Sequence, residues 1–298
     1  MPILEALAAA GRAPALVVTQ PARPAGRRRT ARQPAAAQWA LDAGIELRQP
    51  ERASDPALLA RLTELAPAWG VVAAYGEILR RETLEIAERG FLNVHASLLP
   101  AWRGASPVQA ALAAGERRTG VTIMQMDEGL DTGPVVLARE LEIGRGETAP
   151  ELSERLALLG AGALLEALEG LESGRLRPAL QDDERATRAP RLARSDGEVA
   201  WTLPAPVLHD RWRAYQPWPG IRIRLGDEWV ELAAVRPAAS PGGGEPGTIL
   251  EIGDERVTVA CGEGTALEVE RMQRPGRRAL AAADVVRGLR LGAGDRLA

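Results

Sequence analysis

Apolar and polar positions along the first half of the chain switch repeatedly between a helical and an extended period. Residues 3–11 place apolar side chains at helical spacing and stop at Gly11, and residues 14–20 (PALVVTQ) form a short apolar run that reads as a buried strand. A loop rich in Pro, Gly and Arg at 21–34 follows, then a helix at 35–44, a strand at 45–49 and a helix at 56–65. The run at 69–76 (WGVVAAYG) predicts a strand, 77–90 a helix closing on Gly90, and 91–95 (FLNVH) another strand. Residues 106–115 predict a helix, 120–126 and 133–143 two β-rich runs around the loop DEGLDT, and 149–174 one long helix. Such alternation predicts a doubly wound α/β domain with a mostly parallel sheet, whose ligands lie beyond the carboxyl ends of the strands.

Past residue 181 the pattern changes. Residues 182–198 are polar, rich in Arg and Asp and without apolar period, and read as a linker. A helix at 204–215 precedes PWPG and short strands at 221–226, 229–235, 247–253, 256–262 and 266–273, before a closing helix at 281–289. Short strands with Gly turns roughly every ten residues predict a small OB-like β-barrel. The expected organisation is an α/β domain at 1–181, a linker at 182–198 and a barrel domain at 199–298.

At 298 residues, with 46% apolar and 26% charged composition, the chain can bury two ordinary cores. A net charge of -3 argues against a chain-wide polyanion-binding surface and leaves room for a local basic patch. The single Cys, Cys261, excludes an intramolecular disulfide and any Cys-rich metal site, and suits a reducing cytoplasm. No apolar run nears the roughly 20 residues of a membrane span and the start has no basic leader, so a soluble cytoplasmic protein without a membrane partner is expected. Lys is absent, and Phe91 and Asn93 are the only Phe and Asn, a bias typical of a GC-rich genome. That bias draws attention to FLNVH, which also holds one of the two His.

Asn93 and His95 lie two apart on a predicted strand, so both side chains point to one side at its carboxyl end. An amide donor beside an imidazole suits a carbonyl carbon under attack, the amide holding a developing oxyanion and the ring moving a proton. The plainer reading is a turn-capping Asn and a satisfied His. Asp131, in the loop DEGLDTGP, can reach a neighbouring strand end and orient His95, or can serve turn chemistry alone.

The stretch from Phe91 to Val136 decides between these readings. Asn93-x-His95, Ser97-Leu98-Leu99-Pro100, Arg103-Gly104, Gly120-Val121-Thr122 and Asp131-Thr132-Gly133 stand in that order and spacing. This resembles the formyltransferase family that uses 10-formyltetrahydrofolate, and the resemblance implies Asn93, His95 and Asp131 as catalytic residues acting without a metal. It also implies a pterin site built from Tyr75, Gly76, Ile78 and Leu79, from Ser97 to Pro100, and from Asp127, Gly129 and Leu130. Within the family the acceptors include methionyl-tRNA, a purine-precursor ribonucleotide, amino-sugar nucleotides and water. Three stretches are similar to the members acting on methionyl-tRNA: TQPARPAGR (19–27), WRGASPVQ (102–109) and YQPWPG (215–220). Formyl transfer to initiator methionyl-tRNA by a monomer is therefore the expected activity, with an amino-sugar nucleotide formyltransferase and an inactive, truncated RNA-binding relative as the alternatives.

For the RNA partner, Arg23, Arg27, Arg28 and Arg29 form an acid-free basic loop with Arg32, and Arg271, Arg274, Arg277 and Arg278 are the densest basic stretch of the second domain. Trp201, Trp218 and Trp229 read as packing residues rather than base-stacking platforms. The chain departs from the family at Arg80-Arg81, Ala96, Ser106 and Gln216, none of them at the implied catalytic positions. It also opens inside a helix that relatives precede with a strand and a Gly-Thr-Pro turn, so the expected fold lacks its first strand. MPILEAL resembles the family's Val-Pro-x-Leu-Glu-Ala-Leu, and a GTG codon reads as Val internally but as Met at a start. The expectation is an assigned start downstream of the true one, with in-frame upstream DNA encoding the strand.

Overall fold

A computed structural model describes residues 1–25, 30–239 and 243–297. The chain divides into two compact units. Met1–Pro107, Arg118–Glu142 and Ser153–Pro190 make the first; Val108–Arg117, Ile143–Leu152 and Arg191–Ala298 make the second. In chain order the elements up to residue 172 are α1 (Pro2–Ala9), β1 (Leu16–Val18), β2 (Arg23–Ala25), β3 (Thr30–Arg32), α2 (Ala35–Asp42), β4 (Glu46–Arg48), α3 (Pro56–Leu65), β5 (Gly70–Val72), α4 (Arg81–Leu84), β6 (Phe91–His95), α5 (Pro107–Ala113), β7 (Arg118–Gln125), β8 (Val135–Glu142) and α6 (Ala149–Glu172).

Local chemistry sets these boundaries. The Asp55 carboxylate accepts from the Leu58 amide at 3.0 Å, capping α3 with Pro56 at its first position, and Ala66 ends it in the left-handed region. Glu151 accepts from both the amide and the hydroxyl of Thr148 at the start of α6. Helix α6 buries Leu156, Leu164 and Leu168, and Gly160 lets it lie close to the sheet: a Cβ there would stand 2.8 Å from the Val94 methyl.

The sheet of the first unit has two features, of which its division accords with the expected lack of a first strand and its antiparallel pairing departs from the expected mostly parallel sheet. It is in two pieces, β1 parallel to β4 and a separate four-stranded sheet in the order β5-β6-β7-β8. In the larger piece only β5 and β6 are parallel; β6-β7 and β7-β8 are antiparallel. The antiparallel β7-β8 pair follows from connection length, because the short loop between these strands permits only a hairpin. The helix expected at 77–90 shrinks to α4. Glu88 and Arg89 donate their amides to the Pro67 and Ala68 carbonyls instead of to helical partners, and Leu79 and Ala87 are drawn into one cluster with Ala53 and Phe91.

The second unit continues with α7 (Ala205–Ala214), β9 (Arg222–Leu225), β10 (Glu228–Pro237), β11 (Ile249–Ile252), β12 (Val257–Ala260), β13 (Ala266–Gln273), β14 (Leu280–Ala281) and α8 (Ala282–Gly288). Its sheet, ordered β11-β12-β13-β10-β9 with β14 on β13, is antiparallel and does not close, which corrects the expected barrel. Both edges are covered by other chain: Glu198 bridges Arg222 on β9, and the Ile249 amide on β11 donates to Asp295. Ile223, Val230, Leu232, Leu267 and Val269 fill the inner face with Leu208 and Trp201.

Candidate active site

The site is built at the carboxyl end of β6. Period-two geometry puts Asn93 and His95 on one side of the strand, and the antiparallel register sets His95 beside Thr122 of β7. Asp131 comes from the loop between β7 and β8. Its Oδ1 accepts from Asn93 Nδ2 at 3.3 Å and its Oδ2 accepts from the Gly104 amide at 2.8 Å. His95 Nε2 lies 3.1 Å from the Trp102 carbonyl; a carbonyl only accepts, so this nitrogen carries a proton. The other ring nitrogen, Nδ1, is 3.6 Å from Asp131 Oδ2, close enough for charge to be felt but too far for a hydrogen bond. Asp131 therefore grips Asn93 and Gly104, and meets His95 through its field.

His95 is 5% exposed. Burial pushes its pKa below the usual imidazole range, while the Asp131 carboxylate and the Trp102 carbonyl pull it back up. The balance keeps the resting ring neutral at neutral pH. The same two oxygens favour the imidazolium once a proton arrives.

Backbone conformation marks the same place. Trp102 and Asp131 have φ of 63° and 55°, and Gly104 has φ of 128° with an ideal Cβ only 2.4 Å from the Ala189 carbonyl, so no side chain fits at residue 104. The turn from Ser97 to Ala101 aims the Trp102 carbonyl at the ring. Ser97, fully buried, donates to the Ala101 carbonyl at 2.5 Å, and the Thr122 hydroxyl donates to the Ser97 carbonyl and accepts from the Leu99 amide. Ser97 thus spends its hydroxyl inside this turn, among half-buried Leu98, Leu99 and Pro100.

A cleft of about 560 Å³ is lined by Ile78, Leu79, Arg80, Arg81, Glu82, Glu85 and Glu128. Ile78 (63%) and Leu130 (46%) are exposed apolar side chains on the two loops that the sequence marks, whereas Leu79 is buried in the core. Asp127 Oδ1 accepts from the Gly129 amide and the Thr132 hydroxyl, folding the 127–132 loop on itself, and a Cβ on Gly129 would stand 1.9 Å from Thr132 Oγ1. Gly76 has φ of 82°. The half-buried Tyr75 has its pKa raised by burial, and its hydroxyl oxygen is buried without a hydrogen-bond partner among the described residues.

Of the basic residues expected to meet RNA, Arg23, on the β2-β3 hairpin, is exposed and donates to the Gln20 side chain; Arg27, Arg28 and Arg29 lie outside the described residues. In the second unit Arg274 pairs with Glu228 at 3.0 Å, Arg271 donates to the Ala279 carbonyl, and Arg277 and Arg278 are exposed. Trp201 is a core residue, but Trp218 is 53% exposed and Trp229 is half-buried with the guanidiniums of Arg222 and Arg224 over its ring. Among the described residues no group of three His, Cys, Asp or Glu is placed to hold a metal ion, and no helix is long and apolar enough to cross a membrane.

Four participants do not stand out in the sequence as site groups: the Trp102 carbonyl, the Gly104 amide, Arg103 and Gln181. Two are main-chain groups, which a sequence does not display. Arg103 belongs to the Arg-Gly motif but carries no role there, and nothing in the polar run around Gln181 singles it out.

The family model described as formyl transferase matches residues 3–168, and that of the formyl transferase C-terminal domain matches 191–290. A methionyl-tRNA formyltransferase of Anaeromyxobacter dehalogenans is 50% identical over 96% of this chain and 93% of its own length; one from Granulibacter bethesdensis is 46% identical over 100% and 93%. Among solved structures, HypX from Aquifex aeolicus in complex with tetrahydrofolic acid superposes with a TM-score of 0.60 at 22% identity, over 83% of this chain and 43% of that one. The sugar 3N-formyl transferase WlaRD gives 0.61 at 16% identity over 81% of each. At these identities the structures speak for the fold alone. The near-full-length sequence matches, with both domain families in order and the Asn93, His95 and Asp131 geometry within the first, settle the larger point: this chain belongs to the methionyl-tRNA formyltransferase family.

Proposed function

We propose that this protein transfers the formyl group of 10-formyltetrahydrofolate to the α-amine of initiator methionyl-tRNA, acting as a cytoplasmic monomer. The observation that carries the chemistry is the Asp131 carboxylate, held at once by the Asn93 amide and the Gly104 N–H with neutral His95 beside it. Asn93 has two N–H groups, and the bond to Asp131 fixes the amide plane so that the other is free to donate to the formyl oxygen. As the amine nitrogen bonds to the formyl carbon, that oxygen becomes an oxyanion, and a pre-oriented donor is worth roughly 10²–10³ in rate. The attacking nitrogen must lose a proton and the departing folate nitrogen must gain one. His95 is suited to move it because it rests neutral, and its cationic form is stabilised by Asp131 and the Trp102 carbonyl. Collapse of the tetrahedral carbon breaks its bond to the folate nitrogen, leaving formyl-methionyl-tRNA and tetrahydrofolate.

The loops beside the cleft fit a flat heteroaromatic co-substrate. Exposed Ile78 and Leu130 offer apolar faces, Gly76 has open space where a Cβ would stand and so leaves its main chain uncovered, and Tyr75 brings a buried hydroxyl without a partner among the described residues. We assign Tyr75, Gly76, Ile78, Asp127, Gly129 and Leu130 to that site, with Leu79 and residues 97–100 as its supporting wall. Arg23, Arg27, Arg28, Arg29, Arg271, Arg274, Arg277 and Arg278 are assigned to the RNA.

The test is formyl transfer from 10-formyltetrahydrofolate to charged initiator tRNA by the purified chain, beside His95→Ala and Asn93→Ala. Turnover by the parent and a loss of at least about 10² in kcat in each variant, with RNA binding kept, is the expected result. Equal rates in parent and variants would remove both residues from the chemistry.

A further inference from the structure

We infer that residues 179–189, whose composition reads mostly as linker, form a strap that positions the reacting groups, with Gln181 as its principal positioning residue. The inference rests on the formyl-transfer reading for its kinetic consequences, but its geometry stands by itself.

Two loops deliver the groups around His95. One, at 101–106, supplies the Trp102 carbonyl to the imidazole and the Gly104 N–H to Asp131; the other, at 131–133, carries Asp131. The strap is bonded to both. Ala179 and Val135 exchange two backbone hydrogen bonds of 2.8 Å at the far side of the Asp131 loop. Gln181 then uses both ends of its amide. Nε2 donates to the Asp131 carbonyl at 2.9 Å and the Gly133 carbonyl at 2.7 Å, while Oε1 accepts from Arg103 Nε at 3.1 Å and Nη2 at 2.8 Å. Arg103, 8% exposed, also pairs with Asp183 at 2.7 Å. Further along, the Thr187 hydroxyl accepts from the Trp102 amide at 2.8 Å, the Thr187 carbonyl accepts from the Arg103 amide, and Ala189 bonds Arg103 and Ser106 through its backbone.

These bonds fall where the loops need holding. Trp102 and Asp131 both sit at positive φ, a conformation that L side chains rarely adopt and that persists only when the surroundings enforce it. Gln181 ties the two loops together through its own side chain, donating to one loop and accepting from the other. Glu in its place would keep the bonds from Arg103 but set a carboxylate oxygen against two carbonyls; Met would keep the volume and lose all four bonds. Gln181 bonds the main chain of the Asp131 loop and Arg103, so it acts through Asp131 and the Trp102 carbonyl. A displacement of about 1 Å in such supports can cost on the order of 10² in rate.

The experiment compares Gln181→Met, Gln181→Glu and Thr187→Val with the parent. Thr187→Val keeps shape and removes only the acceptor for the Trp102 amide. The expected result is a fall of roughly 10- to 100-fold in kcat for both Gln181 variants with KM for either substrate within about threefold. NMR titration of the His95 imidazole is read in parallel. The charged and polar groups facing that ring are Asp131 and the Trp102 carbonyl, and both raise its pKa, so loosening either loop moves the midpoint down in all three variants. A purely structural strap would lower the melting temperature and leave kcat per folded molecule and the His95 midpoint unchanged, which overturns the inference. If Gln181→Met does not fold, Thr187→Val carries the same test. If the parent itself transfers no formyl group, the functional reading fails alone, and the His95 titration still decides the strap.

Discussion

The replacement Asp131→Asn keeps the shape of the residue on which the site converges and removes its charge. In the parent each carboxylate oxygen takes one N–H, from Asn93 at 3.3 Å and Gly104 at 2.8 Å. An amide has one acceptor oxygen, so whichever way it turns, its NH2 faces a donor. Loss of a hydrogen bond to a charged acceptor costs about 1.5–3 kcal/mol. The larger loss is the field at His95. Unit charges 3.6 Å apart interact by about 4–5 kcal/mol at an effective dielectric near 20, a ceiling for what the carboxylate gives the imidazolium. A kcat lowered by about 10²–10³ is the expected outcome, at roughly 1.4 kcal/mol per factor of ten. The sign of the pH effect is fixed. Asp131 raises the His95 pKa against burial, so its neutralisation moves the midpoint further down. The assay is kcat against pH for parent and variant, with NMR titration of a protein in which His95 and His209 are the only His. A variant within tenfold of the parent and with an unmoved His95 midpoint would refute the role given to the carboxylate.

Both His have pKa values lowered chiefly by burial, so the unfolded chain binds protons more readily; stability present above about pH 6.5 should fall as the pH drops below it, and His95→Gln with His209→Gln should flatten melting temperature against pH. Cys261 is buried with its pKa pushed up to about 12, so a thiol reagent at roughly pH 8 should leave the native protein unlabelled and react on unfolding; rapid native labelling would contradict the burial. Gly120→Ala would put a Cβ 2.1 Å from the Arg139 carbonyl and 2.5 Å from Leu98, and should destabilise by roughly 1–3 kcal/mol in a denaturant titration. Arg277→Ala with Arg278→Ala should lower RNA affinity evenly across sequences, and the salt dependence of binding should become shallower by about one unit of slope for each phosphate left without its arginine.

Much of the site is legible in the sequence because it is carried by side chains at strand ends. The N-x-H spacing on β6 and the Gly-flanked Asp131 loop follow from period-two geometry and turn chemistry, and the structure brings the three side chains together. The proton at His95 Nε2 is not legible there, because it depends on a main-chain carbonyl seven residues away. Burial of His95, which decides that the ring rests neutral, is a tertiary property set by β7 and the 97–102 turn, and a sequence motif favours neither charge state. The helix shortened to 81–84 has a related cause: the amides at 88 and 89 find tertiary partners that period alone does not reveal. Residues 179–189 lack periodicity because their order comes from hydrogen bonds to two loops, not from an apolar face.

The division of the first sheet makes a claim of its own about motion. Thr19, just past β1, donates its amide to Arg48, and Gly70 of β5 donates to Gly90, so alternation turns the Val18 and Val71 amides toward edges that no described strand covers. Val71 is 36% exposed, unlike Ile123 of β7, which is fully buried and paired on both sides. The two open edges are near each other at their carboxyl ends, where the Gln20 side chain reaches the Tyr75 carbonyl at 3.5 Å. Amide hydrogen exchange should therefore be fast at Val18 and Val71 and slow at Ile123, with the difference persisting in mild denaturant because it reflects local pairing rather than global unfolding. Protection at Val18 and Val71 equal to that of Ile123 in the 298-residue chain would mean that these edges are already paired, and the divided sheet would have to be given up.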